Sequence, residues 1–148
     1  MDAGEMAEDA PTITLDSSAL EAARLLATQR LPGLVVVDDR GRPCSVLPAS
    51  QVVRFLVPGY IQDDPSLAHV LSETMADRAA DKLGSRSVRD VLPNEAPELP
   101  VVQADDTVIE VAALMARLRS PLVAVLREGT MVGVVSASRL LELALVGR

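Results

Sequence analysis

Residues 109–141, IEVAALMARLRSPLVAVLREGTMVGVVSASRLL, form one complete supersecondary unit, and the chain has already spelled that unit once at residues 20–53, LEAARLLATQRLPGLVVVDDRGRPCSVLPASQVV. Leu20 and Glu21 align with Ile109 and Glu110, and Leu25 and Leu26 with Leu114 and Met115. Pro32 meets Pro121, and Gly41 meets Gly129 once Arg40 is left unpaired. The register then runs on through Ser45 and Gly133, Ala49 and Ala137, and Ser50 and Ser138. A duplicated unit of this size points to two halves that bury apolar faces on each other.

The same signals recur in the same order in each copy. A turn-forming cluster with an N-cap residue (Asp16-Ser17-Ser18; Asp105-Asp106-Thr107) precedes a helical pattern, with Glu three residues after Ser18 and after Thr107. That spacing suits a capping box. Arg30 and Arg119 stand near the helix ends, where a cation suits the dipole, and Pro32 and Pro121 act as stops. Two short β-branched runs follow, residues 34–37 and 44–47 in the first copy and 122–126 and 131–135 in the second, each pair joined by a turn containing glycine. Such pairs read as hairpins. A second helix closes each unit, over residues 49–56 and 137–146, and residues 12–15 and 99–102 read as entry strands.

Residues 1–10 are small and acidic, which predicts a loose start, although Gly4-Glu5-Met6 corresponds to the residues that precede the second copy, Arg89-Asp90-Val91-Leu92. Between the copies, Pro58-Gly59 and Asp63-Asp64-Pro65 mark a break. Residues 66–83 then carry Leu67, Val70, Leu71, Thr74, Met75 and Arg78 at helical spacing, which predicts one linker helix with Gly84 as its cap. The domain reading is therefore a first unit over residues 1–64, a helical linker over 65–86 and a second unit over 87–148.

Order and duplication, with Gly133-Val134-Val135-Ser136 leading from the last strand into the last helix, resemble the CBS domain, named after cystathionine beta-synthase. Two in tandem resemble a Bateman module. The resemblance implies an α+β fold: two β-α-β-β-α units related by a pseudo-twofold axis, with their small sheets packed together and helices outside. It also implies a regulatory module that senses a small ligand, an adenine nucleotide, S-adenosylmethionine or another anionic metabolite, and modulates a partner such as an ion transporter or a metabolic enzyme. A fold that keeps its shape and has lost its ligand, serving only as an interaction protein, is the alternative.

In family members that bind adenosine nucleotides, the motif runs Gly, two apolar residues, Ser or Thr, two residues, then an Asp that holds the ribose diol. Here the candidate ligand residues are Gly133, Val134, Ser136, Ser138 and Arg139, with Leu99 and Val101 from the entry strand. Arg139 replaces the carboxylate, and Gln51 does so in the first copy, where Ser45 and Pro48 complete a degenerate version of the site. A guanidinium only donates, so the expected ligand is more anionic and less dependent on a ribose than the family's nucleosides.

Composition narrows the remaining classes. Of 148 residues, 49% are hydrophobic and 1% aromatic, so the core is built of Leu, Val, Ala and Met, and stacking recognition of single-stranded nucleic acid is disfavoured. A net charge of -7 argues against a phosphate-backbone partner. With one histidine, His69, and one cysteine, Cys44, far apart in sequence, no catalytic or metal-binding constellation emerges, and no enzyme is expected. The acidic pairs Asp38-Asp39, Asp63-Asp64 and Asp105-Asp106 read as turns and helix starts. No signal sequence or apolar run of about 20 residues is evident, and a single cysteine suits a reducing cytoplasm. Apolar residues beyond the need of one sheet face (Leu25, Leu26 and Leu31; Leu114, Met115 and Leu118; Leu140, Leu141 and Leu143) predict a homodimer formed through the helices.

Overall fold

The computed structural model describes residues 1–70, 78–95 and 98–146, with the side chains of 69 and 70 excepted. The first unit contains β1 (Thr12–Thr14), α2 (Ala19–Thr28), β2 (Gly33–Val37), β3 (Pro43–Pro48) and α3 (Ala49–Leu56); a short helix, α1 (Ala3–Met6), precedes it. The second contains β4 (Val101–Gln103), α7 (Val108–Leu118), β5 (Leu122–Arg127), β6 (Thr130–Ser136) and α8 (Ala137–Leu145). Each forms a three-stranded sheet, β1-β2-β3 and β4-β5-β6. The entry strand runs parallel to the middle strand, and the hairpin is antiparallel. The ladder slips at Val36/Val37 in one unit and at Val125/Leu126 in the other, so the repeat extends to the bulge.

All five residues of β2 and the first four of β5 are buried, because each central strand is covered on both faces. Leu34 and Val36 point to the helices of their own unit and join Ala22, Leu26 and Val52. Val123 and Val125 do the same in the second unit with Val111 and Met115. The alternate residues, Val35 and Val37 from one sheet with Leu122 and Ala124 from the other, meet in a third cluster with Val46, Leu99 and Val134. That cluster is the face-to-face contact of the two sheets, as the duplicated apolar pattern predicts.

The capping box forms in full at Thr107 and Glu110. Ser18 accepts from the amides of Leu20 and Glu21, without the reciprocal bond from its own amide to the Glu21 carboxylate. Arg30 and Arg119 follow their helices in the left-handed region, at φ 52 and 51. There the amides of Leu31 and Ser120 reach back to the carbonyls of Leu26 and Met115. Gly41 supplies the positive φ of the first hairpin turn and Gly129, together with Glu128 at φ 53, that of the second.

The start of the chain is ordered, contrary to the loose segment expected from its composition. Asp2 caps α1 by accepting from the Glu5 amide, and Ala3 and Met6, one turn apart, are fully buried. They are buried against the second unit, with Val102, Ala104 and Val135. The matching helix, α6 (Val88–Val91), carries its own capping box between Ser87 and Asp90 and buries Val88 and Val91 in the first unit. Each unit thus receives the short helix that leads into the other. The bonds match pairwise: Ala3 and Gly4 donate to the carbonyls of Asp106 and Ala104, Val88 and Arg89 to those of Ser17 and Leu15. Gly4-Glu5-Met6 is the structural counterpart of Arg89-Asp90-Val91.

The linker departs from the single helix expected over residues 66–83. Pro58 starts a short helix, α4 (Gly59–Asp63), at the expected break and buries Ile61; a 3-10 helix follows at Pro65–Val70. Residues 71–77 of the expected helix, with Leu71, Thr74 and Met75, lie outside the described residues. The chain resumes in α5 (Ala79–Gly84), which packs Leu83 into the first unit's core. Gly84 belongs to that helix and Ser85 caps it. The acidic pairs close turns as expected: Asp38 accepts from the amides of Arg40 and Arg42, Asp64 from Ser66, and Asp106 from Gln103.

Candidate functional site

Strand β6 delivers Ser136 to the N-terminus of α8, where the free amides of the first turn need acceptors. Ser136 Oγ accepts from the Arg139 amide at 3.1 Å and lies 3.1 Å from Ser138 Oγ. The Arg139 side chain, 25% exposed, turns back over the junction. Its Nε donates to the Met6 carbonyl at 3.4 Å and stands 3.9 Å from Glu8 Oε1, while Nη1 stands 3.6 Å from Glu142 Oε1. The guanidinium therefore faces a carbonyl and two carboxylates of its own chain. An external anion competes with all three for the same donors.

Gly133 is buried, and the space beside it is taken by the chain entering the first unit. A Cβ there would stand 2.8 Å from the Glu8 carbonyl oxygen and 3.1 Å from the Ala7 Cβ. Next to it, Glu8 and Val134 exchange backbone hydrogen bonds at 2.8 and 2.9 Å. Beyond this bridge opens a cleft of about 360 Å³ between the units, walled by Asp9, Thr12 and Val37 on one side and Met131 and Gly133 on the other.

The expected site residues do not all meet. Gly133, Val134, Ser136, Ser138 and Arg139 lie together by chain continuity. Leu99 packs in the core between the sheets, and Val101 pairs with Ala124 on the far side of β5 from β6. The segment that reaches the junction is Met6 to Ala10, which sequence reasoning missed. Its signal was the correspondence of Gly4-Glu5-Met6 with Arg89-Asp90-Val91, but local periodicity carries no information on which unit a short helix joins.

In the first unit, Ser45 is buried in β3, and Pro48 stands at the N-cap of α3 without a side-chain bond to it. Gln51, at the position of Arg139, donates from Nε2 to the Val91 carbonyl at 2.8 Å. Val91 is the counterpart of Met6, so the two units make the same bond with different donors. Cys44, an exposed residue, donates to the Val36 carbonyl at 3.4 Å, and partial desolvation of the thiol, aided by the charge of Asp38, pushes it up from the ordinary range. Such a thiol is a poor nucleophile at neutral pH. Among the described residues, no group of three or more His, Cys, Asp or Glu is arranged to hold a metal ion.

The architecture defines a class of protein, a tandem of β-α-β-β-α units with exchanged entry helices. The family model for the CBS domain matches it twice, at residues 2–58 and 88–145, and the chain belongs to the CBS domain family. A CBS domain-containing protein of unknown function from Kribbella flavida DSM 17836 is 62% identical, with a TM-score of 0.87 over 97% of this chain and 98% of that one. The CBS domain of a CBS domain-containing membrane protein from Sphaerobacter thermophilus superposes with a TM-score of 0.72 at 18% identity, over 97% and 87% of the two chains. Arabidopsis thaliana CBSX2, solved in complex with AMP, superposes with a TM-score of 0.67 at 15% identity, over 97% and 96%. Among curated proteins, none matches the chain. No helix among the described residues is long and apolar enough to cross a membrane.

Proposed function

We propose that this CBS pair is a cytoplasmic regulatory module without a reaction of its own, which takes a small metabolite in the cleft beside Gly133 and passes its bound state to a partner protein, a transporter or an enzyme. The position of the cleft carries this reading. One wall belongs to the first unit and the other to the second, so a ligand between Thr12 and Met131 touches both and biases their relative position. The AMP complex of CBSX2, on the same fold, supports an adenine nucleotide as the ligand class. Arg139 does not line that cleft; it stands across the bridge between Glu8 and Val134, where a phosphate reaching past the bridge would meet a guanidinium, which has no acceptor to offer a ribose diol. The module works as a homodimer, in keeping with apolar side chains left exposed on its helices, Val53 on α3 and Leu141 and Leu145 on α8.

Thermal shift and calorimetry with AMP, adenosine, S-adenosylmethionine and inorganic phosphate test the ligand. At a hundredfold excess over its dissociation constant, AMP stabilises the fold by about 2.7 kcal/mol, and adenosine has a much smaller effect. If no compound binds at millimolar concentration, the ligand reading falls.

A second reading, an interaction module that has lost its ligand, is favoured by one specific observation. Arg139 and Gln51, which stand where the family's nucleotide binders carry their carboxylate, both bond to backbone carbonyls. Under that reading a partner protein is retained on the purified chain and no metabolite alters its thermal stability.

A further inference from the structure

Gln51 and Arg139 stand at matching positions, yet one is a neutral amide and the other a cation. Each reaches the terminal carbonyl of a one-turn helix, Val91 of α6 and Met6 of α1. A helix's last carbonyl has no donor within its own helix, so it must find one elsewhere. Both acceptor residues are buried, at 2% and 0% exposure. The bonds span 40 and 133 residues of sequence, and in each case the short helix continues into the entry strand of the other unit.

We propose that Gln51 and Arg139 are a pair of latches, each fixing the last helix of one unit to the segment that leads into the entry strand of the other. The donor is what the two positions share; the charge of Arg139 adds only long ion pairs to the exposed carboxylates of Glu8 and Glu142, at 3.9 and 3.6 Å, and such pairs contribute little. Arg139 ties α8 to Met6, six residues before β1 begins at the cleft wall; Gln51 ties α3 to Val91 on the way to β4. Helices α3 and α8 expose Val53 and Leu141, so the latches join the outward helix face to the contact between units. The role of that face rests on the function proposed above, but the latches do not, and their test uses neither ligand nor partner.

The test is native-state hydrogen exchange on the full chain, with denaturant melts to correct for global stability. Arg139→Met removes the donor and keeps the bulk. It is expected to speed exchange about fivefold at the Ala7 and Glu8 amides and in β1, beyond any global change. Arg139→Gln installs the first unit's own latch and is expected to keep protection within twofold of wild type. Gln51→Met and Gln51→Arg give the reciprocal result at Leu92 and in β4, which preserves the test if one methionine variant fails to fold. Equal acceleration in the methionine variant and in its donor-bearing counterpart would overturn the proposal, as would acceleration confined to α3 or α8.

Discussion

Gly133 lies directly under the backbone of Glu8, close enough that a methyl group on its Cα would stand 2.8 Å from the Glu8 carbonyl oxygen. The obstacle is backbone, held by the paired hydrogen bonds between Glu8 and Val134, and it cannot swing aside as a side chain would. Gly133→Ala is therefore expected to destabilise the chain by about 1–3 kcal/mol, the usual cost of overpacking a filled site. Urea denaturation measures it. A variant within 0.5 kcal/mol of wild type would mean that the segment containing Glu8 moves away at little cost.

How far the sequence announced this arrangement depends on the kind of signal each feature leaves. The two units, their strand order and their hairpins were legible because periodicity and turn chemistry repeat at matching positions, from Pro32 and Pro121 to Gly41 and Gly129. The motif around Gly133 and Ser136 was legible as a junction, and Ser136 does cap α8. What fills that junction was not. Met6 and Glu8 arrive from the far end of the chain, and an apolar pair such as Ala3 and Met6 is too short to register as periodicity. Arg139 shows the same limit: its charge suggested an anion, whereas its nearest partner is a carbonyl 133 residues away in sequence.

The two helix ends offer a stabilising change. Arg30 and Arg119 hold left-handed backbone, at φ 52 and 51, where an L side chain crowds the carbonyl. Glycine relieves that strain, less the larger entropy it gives the unfolded chain. Arg30→Gly and Arg119→Gly are each expected to gain about 0.5–1 kcal/mol, raising Tm by about 1–3 °C in a chain of this size. Calorimetry that shows a lower Tm for both would mean that the guanidinium charge at the helix end outweighs the strain.

Two exposed carboxylates shape the acid response. The backbone amide of Arg42 holds the Asp38 carboxyl below its ordinary value, and the amide and hydroxyl of Ser87 do the same for Asp90. A carboxyl lowered in the folded state contributes stability that is fully present above its unfolded pKa, near 3.8, and is lost as pH falls through the lower folded value. Tm is thus expected to fall below about pH 4. Asp38→Asn with Asp90→Asn should flatten that fall, leaving Tm above pH 5 lower than in wild type. A double variant with an unchanged Tm profile between pH 2 and 6 would show that other carboxylates govern acid unfolding.

If two chains associate as proposed, the helix faces offer fewer apolar side chains for it than the sequence suggests. Most of the apolar excess expected there is spent inside each unit: Leu26 and Met115 are buried, and Leu25, Leu31, Leu114, Leu140 and Leu143 pack against the cores. On the two closing helices Val53 and Leu141 stand outside, both 60% exposed, with Leu145 at 64%; Ile109, at 76%, is exposed on α7. Val53 and Leu141 occupy matching positions of α3 and α8, so the outward surface carries the internal repeat, and a second copy related by a twofold axis meets a surface like its own. Beside Val53 lies a shallow apolar depression of about 200 Å³ lined by Ala23, Ala27 and Ala49, whose small side chains leave room for a partner's aliphatic group. Light scattering at micromolar concentration is expected to give twice the chain mass of 15.7 kDa. Val53→Glu combined with Leu141→Glu should give the single-chain mass, because each buried carboxylate loses the favourable burial of an aliphatic side chain, about 1.5–3 kcal/mol, and adds a desolvation cost. Neither position is buried within the chain, so the variant's fold should survive, which circular dichroism checks. A wild-type chain that scatters as a monomer, or a double variant that stays dimeric, would move the contact off these helices.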